Sequence, residues 1–325
     1  MHKITQICWE IIIYGLAVLV LGVLPNLAAA GDTEICGFAD FVATPLQNGG
    51  SPSPFAMGQA ELDFTRKLDP HWQACIAVAF DAEAEAFGLG AWTLTYAVER
   101  HDESCCGSRC FVHSTGFTVG RFDVPVGIDW LVYPSPSRLL VTAPVAADAT
   151  HAGWNDQGFL ALFEGKRFFG AAFLTNGTLL TEEVPGQAAG GRIAIRYPCC
   201  LEIGISGAAA WNVDDLHRAT LKGADIQARL GSLGLKGEYL ELRDGIGTDD
   251  LGVRAGFYSQ VHLQSGRNHV VLRYGALTTS GNARPRPLSL GAGREIAPGL
   301  QLRCQYEDDT VSSADRLLVQ TVVLF

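Results

Sequence analysis

From Trp72 to Phe80 every second residue is apolar: Trp72, Ala74, Ile76, Val78 and Phe80. The same period recurs in Trp92, Leu94, Tyr96 and Val98, and in Ile193, Ile195 and Tyr197 against Arg192 and Arg196. It returns in Leu201, Ile203, Ile205 and Trp211, and in Val270, Leu272 and Tyr274 against Arg273. Leu300, Leu302, Cys304 and Tyr306 stand against Arg303 and Gln305. Successive side chains of a strand point to opposite faces, so the pattern predicts strands with one apolar and one polar face. Sustained helical periodicity is absent, and the 37 glycines would weaken helices. Sixteen strands are predicted, at 34–43, 56–66, 71–82, 87–99, 115–124, 153–164, 167–176, 189–197, 200–212, 217–230, 233–243, 251–264, 268–278, 287–296, 299–307 and 315–325.

The links between these strands alternate in kind. KLDP, EGKR, YPCC, LGSLG, SGRN and APG are short, whereas TPLQNGGSPSP, NGTLLTEEVPGQ, RDGIGTDD, TTSGNARPRP and EDDTVSSAD are long and polar. RHDESCCGSRCFVHS breaks the rule by being long on the short side. Short turns at one end and long loops at the other are the habit of a transmembrane antiparallel β-barrel, here of about 16 strands (14–18) in an all-β chain. A secreted soluble β protein would alternate too, and is the competing reading of the pattern alone.

The chain ends in LLVQTVVLF, another alternating run closing on Phe325. As the last strand of a barrel it would pair with the first, leaving no open edge. Phe325 would then face outward at the membrane boundary, and a terminal Phe on such a strand resembles the C-terminal assembly signal of Gram-negative outer-membrane barrels.

Residues 1–30 read as a cleaved signal peptide: Lys3, the 14-residue apolar run IIIYGLAVLVLGVL, then Ala28-Ala29-Ala30. The run is shorter than the roughly 20 residues of a spanning helix, which disfavours an uncleaved anchor. Residues 31–325 then form one barrel domain. Hydrophobic residues make up 48% of the chain, yet no second long apolar run occurs, so that content is spread as a barrel spreads it. The net charge of −10 argues against a nucleic-acid binder.

An exported chain can keep disulfides. Cys36, Cys105, Cys106, Cys110, Cys199 and Cys200 fall toward the short-turn rim and are candidates for disulfides there; their pairing is not readable from spacing, and a metal or redox role is the alternative. Cys75 and Cys304 fall in strands. No Gly-x-Ser-x-Gly, His-Glu-x-x-His or Cys-x-x-Cys-His motif occurs, so no catalytic residue, metal site or cofactor is expected.

Gly120, Phe122, Pro125 and Gly127 in GFTVGRFDVPVGIDWLVYPSPSRLLVTAP form a Gly-x-Phe-x-x-Pro-x-Gly pattern on a strand leading into a long loop. This resembles a bacterial porin pattern, loosely that of the phosphate-selective porin O and P group. The resemblance implies an outer-membrane channel for passive diffusion of small hydrophilic solutes or ions, set in outer-membrane lipid, inserted by the barrel-assembly machinery and trimeric. Anion-selective members imply a lysine-rich lumen, and this chain has five lysines, so phosphate selectivity does not carry over. An occluded barrel serving as a surface scaffold or docking protein is the alternative.

With this strand phase, Arg121, Arg192, Arg196, Arg229, Arg254, Arg273 and Arg303 face the lumen with Glu61, Asp63, Asp81, Glu99, Asp123, Glu202 and Asp225. Opposed rings of such charge would create a transverse field; mutual pairing in a polar interior is the plainer outcome. The long apolar link at about 125–152 would be sticky in water. It could fold inward, bringing Asp129, Arg138 and Asp148 to a constriction, pack on a neighbouring subunit, or lie across the rim.

Overall fold

The alternation becomes a closed wall. The computed structural model describes residues 33–47, 55–81, 85–101, 112–130, 134–177, 186–197, 200–212, 217–246, 249–280, 282–284, 287–309 and 315–325. The strands are β1 (Thr33–Gln47), β2 (Phe55–Lys67), β3 (Trp72–Asp81), β4 (Ala86–His101), β5 (Val112–Asp123), β6 (Asn155–Glu164), β7 (Phe168–Thr175) and β8 (Gly186–Tyr197). They continue as β9 (Leu201–Asn212), β10 (His217–Leu230), β11 (Leu233–Ile246), β12 (Asp249–Ser265), β13 (Asn268–Thr279), β14 (Asn282–Arg284), β15 (Pro287–Ala297), β16 (Leu300–Asp309) and β17 (Arg316–Leu324). One six-residue helix, α1 (Val145–Thr150), lies between β5 and β6.

Each strand pairs antiparallel with its chain neighbour, and β17 pairs with β1. Sixteen strands form the wall; β14 is a three-residue ribbon that prolongs the edge of β13. Closure is completed by a reciprocal pair: Gly37 N–H donates to Phe325 O (2.9 Å) and Phe325 N–H to Gly37 O (3.0 Å). Within the wall, each of the sixteen described strands is thus paired on both sides.

The strand phase follows the sequence. Ile205 is 63% exposed while its neighbour Ser206 is 9% exposed. Ile76, Ile193, Val270, Leu272, Leu290 and Leu302 are likewise exposed, while Arg192, Arg273 and Arg303 on the opposite faces are buried. A barrel with its large aliphatic residues outside needs a lipid solvent, which makes this a transmembrane barrel and excludes the soluble reading. A ring system formed by Trp72, Tyr96, Phe117 and Phe159, with centroids 5.1–5.7 Å apart, lies on the outer wall of β3–β6.

Two local expectations change. β11 runs to Ile246 and β12 begins at Asp249, so most of RDGIGTDD is strand rather than loop. The ladder continues because each strand already has a partner, and polar residues cost nothing beyond the apolar zone. Residues 1–30 and the link with Cys105, Cys106 and Cys110 lie outside the described residues, as does Cys199. Cys36 at the start of β1 and Cys200 in the β8–β9 turn are both free thiols.

Candidate pore and its constriction

Residues 124–154 connect β5 to β6, and their described parts run inside the barrel. Two glycines make the entry. Gly120 has φ +130°, and a Cβ there would lie 1.9 Å from Trp92 O. Gly127 has φ +69°, and a Cβ there would lie 1.8 Å from Glu238 Oε1. The first and last glycines of the Gly-x-Phe-x-x-Pro-x-Gly stretch are thus required by a left-handed backbone and close approach to the wall.

The loop is first held on β9 and β11. Gly127 N–H donates to Ser206 Oγ (2.9 Å), and Ile128 N–H to Glu238 Oε1 (2.9 Å). Lys236 Nζ donates to Asp129 Oδ1 (2.5 Å) and lies over the Tyr258 ring, 5.4 Å from its centroid. Burial pushes the Asp129 carboxyl upward, but the Lys236 ammonium outweighs it and holds the group below its usual range. His151, just after α1, is buried nearby. Burial drives its pKa down to about 4 against the opposing pull of Asp129 and Asp148.

The loop is next held by β2, β13 and β16. Gln59 Oε1 accepts from Ser135 N–H (2.7 Å) and Arg138 Nη2 (3.1 Å). Arg303 donates to Ser135 O (2.5 Å) and Pro136 O (3.0 Å). Gln305 Oε1 accepts from Val141 N–H (2.8 Å) and Thr142 N–H (3.1 Å), and Arg273 donates to Thr142 O (2.9 Å). Arg254 donates to Ala149 O (3.0 Å) and to Asp244 (2.8 Å). In the ring of strands β11 lies nearly opposite β2. The segment is therefore a strap held on both sides of the lumen.

Between the strap and the inner face of β6–β11 lies a hydrophobic core. Phe122, Val124, Val126 and Trp154 pack with Phe169, Phe173, Leu221, Leu240 and Leu242. Water is thereby excluded from that side.

The inward charges follow the plainer of the two outcomes, engagement in place, and the constriction residues are placed differently from expectation. Arg254, Arg273 and Arg303 face inward, but their donors hold the strap. Arg192 pairs with Asp225 (2.5 Å) and Glu202 (2.8 Å), and Arg196 with Glu202 (2.5 Å) and Glu164 (2.6 Å). Arg192, Arg196 and Arg254 are neutralised in place by carboxylates, and Arg273 and Arg303 spend donors on neutral oxygens, because an inward guanidinium recovers its lost hydration in such bonds. Asp129 is held in its ion pair with Lys236 at 1% exposure, at the wall of an inner cavity instead of a free constriction. Arg138 lines a cavity of about 340 Å³ under the strap with Arg229, Lys236 and Arg273. Asp148 is exposed on α1.

Arg121 and Asp123 differ. With Glu61, Gln59 and Asn155 they line a cavity of about 770 Å³ between the β1–β5 wall and the strap residues Pro134, Ala152 and Gly153. Arg121 Nε donates to Asn155 Oδ1 (2.6 Å), and Asn155 Nδ2 to Asp123 Oδ1 (2.8 Å). Asp123 is exposed to solvent there. The anchors Gln59, Gln305, Lys236 and Glu238 escape sequence reasoning. Their one signal is inward phase, which they share with residues that merely solvate a wet wall.

Neither family models nor curated proteins match the sequence. Solved structures share the fold. The anion-selective porin from Comamonas acidovorans superposes with TM-score 0.66 at 14% identity, over 91% of this chain and 100% of that one. OmpT, an outer membrane protein of Vibrio cholerae in its trimer form, gives 0.65 at 10% identity over 91% and 100%. The outer membrane channel DcaP of Acinetobacter baumannii gives 0.63 at 9% over 91% and 98%. The chain has the fold of the outer-membrane porins. In this chain the lumen holds a strap tied to both walls and an apolar filling on one side.

Proposed function

We propose that this chain is a porin-like channel of the bacterial outer membrane that passes small hydrophilic solutes or ions by passive diffusion. The observation that carries the reading is the cavity of about 770 Å³ beside the strap, walled by Glu61, Arg121 and Asp123. Polar groups facing an aqueous space can replace hydration for small solutes without holding them tightly. In this reading residues 1–30 are removed on export, residues 31–325 form the barrel, and Phe325 is read by the barrel-assembly machinery. The trimer form of the Vibrio protein supports a homotrimer as the assembly. Nothing about the arginines supports a phosphate preference, since Arg192, Arg196, Arg273 and Arg303 are engaged within the barrel.

An occluded scaffold is the second reading. It is favoured by the two-sided attachment of the strap and by the apolar packing on β6–β11. Swelling of proteoliposomes in sugars of increasing size separates the two. A channel swells the vesicles with a sharp size cut-off, whereas an occluded barrel leaves them at the rate of protein-free vesicles.

A further inference from the structure

The strap bounds a second cavity, on the short-turn half of the lumen. It measures about 340 Å³ and lies between the strap and the inner faces of β10–β13. It shares no lining residue with the cavity beside Arg121 and Asp123. Arg229, Gln260 and Arg273 line its wall side, and Ile128, Leu140 and Pro144 its strap side.

The charges here do not balance. Asp129 is the one carboxylate among the described residues of the lining, and Lys236 matches it. Arg273 is 5% exposed, yet its side-chain hydrogen bonds go to Thr142 alone: Nη1 donates to the carbonyl (2.9 Å) and Nη2 to the hydroxyl (2.6 Å), leaving further donors over. The hydroxyl in turn donates to Glu307 (3.0 Å), whose charge is met by Arg316. Arg229 donates to Gln264 Oε1 (3.2 Å) and enters no ion pair among the described residues. Two guanidiniums thus line one small space without a carboxylate of their own. An uncompensated buried charge is costly, and an anion from outside the chain would relieve it. Gln260 is a second, independent sign. Its side chain is 5% exposed, lines the cavity and makes no hydrogen bond among the described residues. In the register it stands directly beside Arg273.

The strap side of the cavity narrows the choice of anion. An inorganic anion would satisfy the guanidiniums but leave Ile128, Leu140 and Pro144 facing water. Pockets from about 300 Å³ upward hold small organic molecules, oriented by a few placed polar groups. A carboxylate carrying an apolar body, one ring or a short chain, uses both faces, and guanidinium matches carboxylate with paired hydrogen bonds.

We propose that this cavity is a binding site for a small organic monocarboxylate with an apolar body. Arg273 and Gln260 take the carboxylate, and the strap residues cover the body. Arg229 draws the ligand in from the short-turn mouth, where it also lines a cavity of about 360 Å³ that reaches Cys200. The site deepens the channel reading by naming a solute class, and rests on that reading only for how the solute arrives.

The test is equilibrium dialysis of the refolded barrel in nonionic detergent against labelled benzoate, with empty micelles as the blank. Wild type is expected to hold one benzoate per chain, and to hold benzamide, its uncharged counterpart, about tenfold less tightly. Equimolar chloride or inorganic phosphate is expected to leave the benzoate in place. Gln260→Met should weaken benzoate about tenfold. It removes no bond within the protein, so the strap should stay as resistant to chymotrypsin as in wild type. Absence of saturable binding, equal retention of benzoate and benzamide, or unchanged affinity in Gln260→Met overturns the proposal. So does displacement by equimolar phosphate, which would make this a site for inorganic anions. Dialysis reads binding whether or not the barrel conducts. Saturable binding by a barrel that is silent in bilayers would remove the channel reading and keep the site, and conductance without binding would do the reverse.

Discussion

Replacing Lys236 with Met would remove the cation that neutralises Asp129 and leave a carboxylate of 1% exposure buried in the strap. Removing one partner of a buried ion pair costs about 3–5 kcal/mol. The Lys236 side chain keeps 18% of its surface exposed, so the lower end applies, about 3 kcal/mol. The barrel wall has a paired neighbour on every strand and would not absorb the loss. The strap, tied by discrete hydrogen bonds, would open locally instead. At about 1.4 kcal/mol per decade, the open population is expected to rise roughly a hundredfold. Chymotrypsin offers a direct assay, because Trp130, Leu139 and Leu140 lie in the strap. Cleavage within 125–152 should accelerate by that order, while the unheated barrel keeps its electrophoretic mobility. Adding Asp129→Asn to Lys236→Met should restore most of the protection, since the uncompensated charge is gone. Equal cleavage of Lys236→Met and wild type, with both barrels intact, would refute the reasoning.

Three further outcomes are expected. His151 has its pKa lowered from 6.5 to about 4, so the neutral ring stabilises the closed strap above pH 6.5, and that contribution is lost as pH falls toward 4. The loss amounts to roughly 3 kcal/mol, so strap cleavage by an acid-active protease should rise over that window in wild type and stay flat in His151→Leu. Gly127→Ala places a methyl at a positive φ against Glu238 and should cost about 1–3 kcal/mol, read as faster strap cleavage with unchanged barrel mobility. Phe325→Ala removes the exposed terminal ring but not the Gly37 backbone pair, so assembly in cells should slow while refolding in detergent proceeds normally.

The wall was legible because its physics is local. An alternation such as Ile203, Ile205 and Trp211 against Gly204, Ser206 and Asn212 encodes both strand and facing. The closing strand was legible for the same reason, since 315–325 could pair only with the first strand in a closed sheet. The lumen was not. Leu240 and Leu242 face inward, where a wet pore would place polar groups, and only the packed strap explains them. The alternation points Arg273 and Arg303 inward, as the structure has them. Their use depends on carbonyls at Thr142, Ser135 and Pro136, which are well over a hundred residues away in sequence. Gln59 and Gln305 carry no charge to draw notice, yet each receives two donors from the strap. Contacts of that range are set by where a loop lands, and no local period records it.

Planar-bilayer recording of the refolded mature barrel in a KCl gradient tests the central claim most directly. The cavity beside the strap is lined by two carboxylates, Glu61 and Asp123, and one guanidinium, Arg121. The expected result is stepwise conductance with a reversal potential of cation-selective sign, moving toward zero in Glu61→Gln with Asp123→Asn. A correctly folded barrel that stays silent, or conducts with a reversal potential indifferent to those two substitutions, would contradict the account.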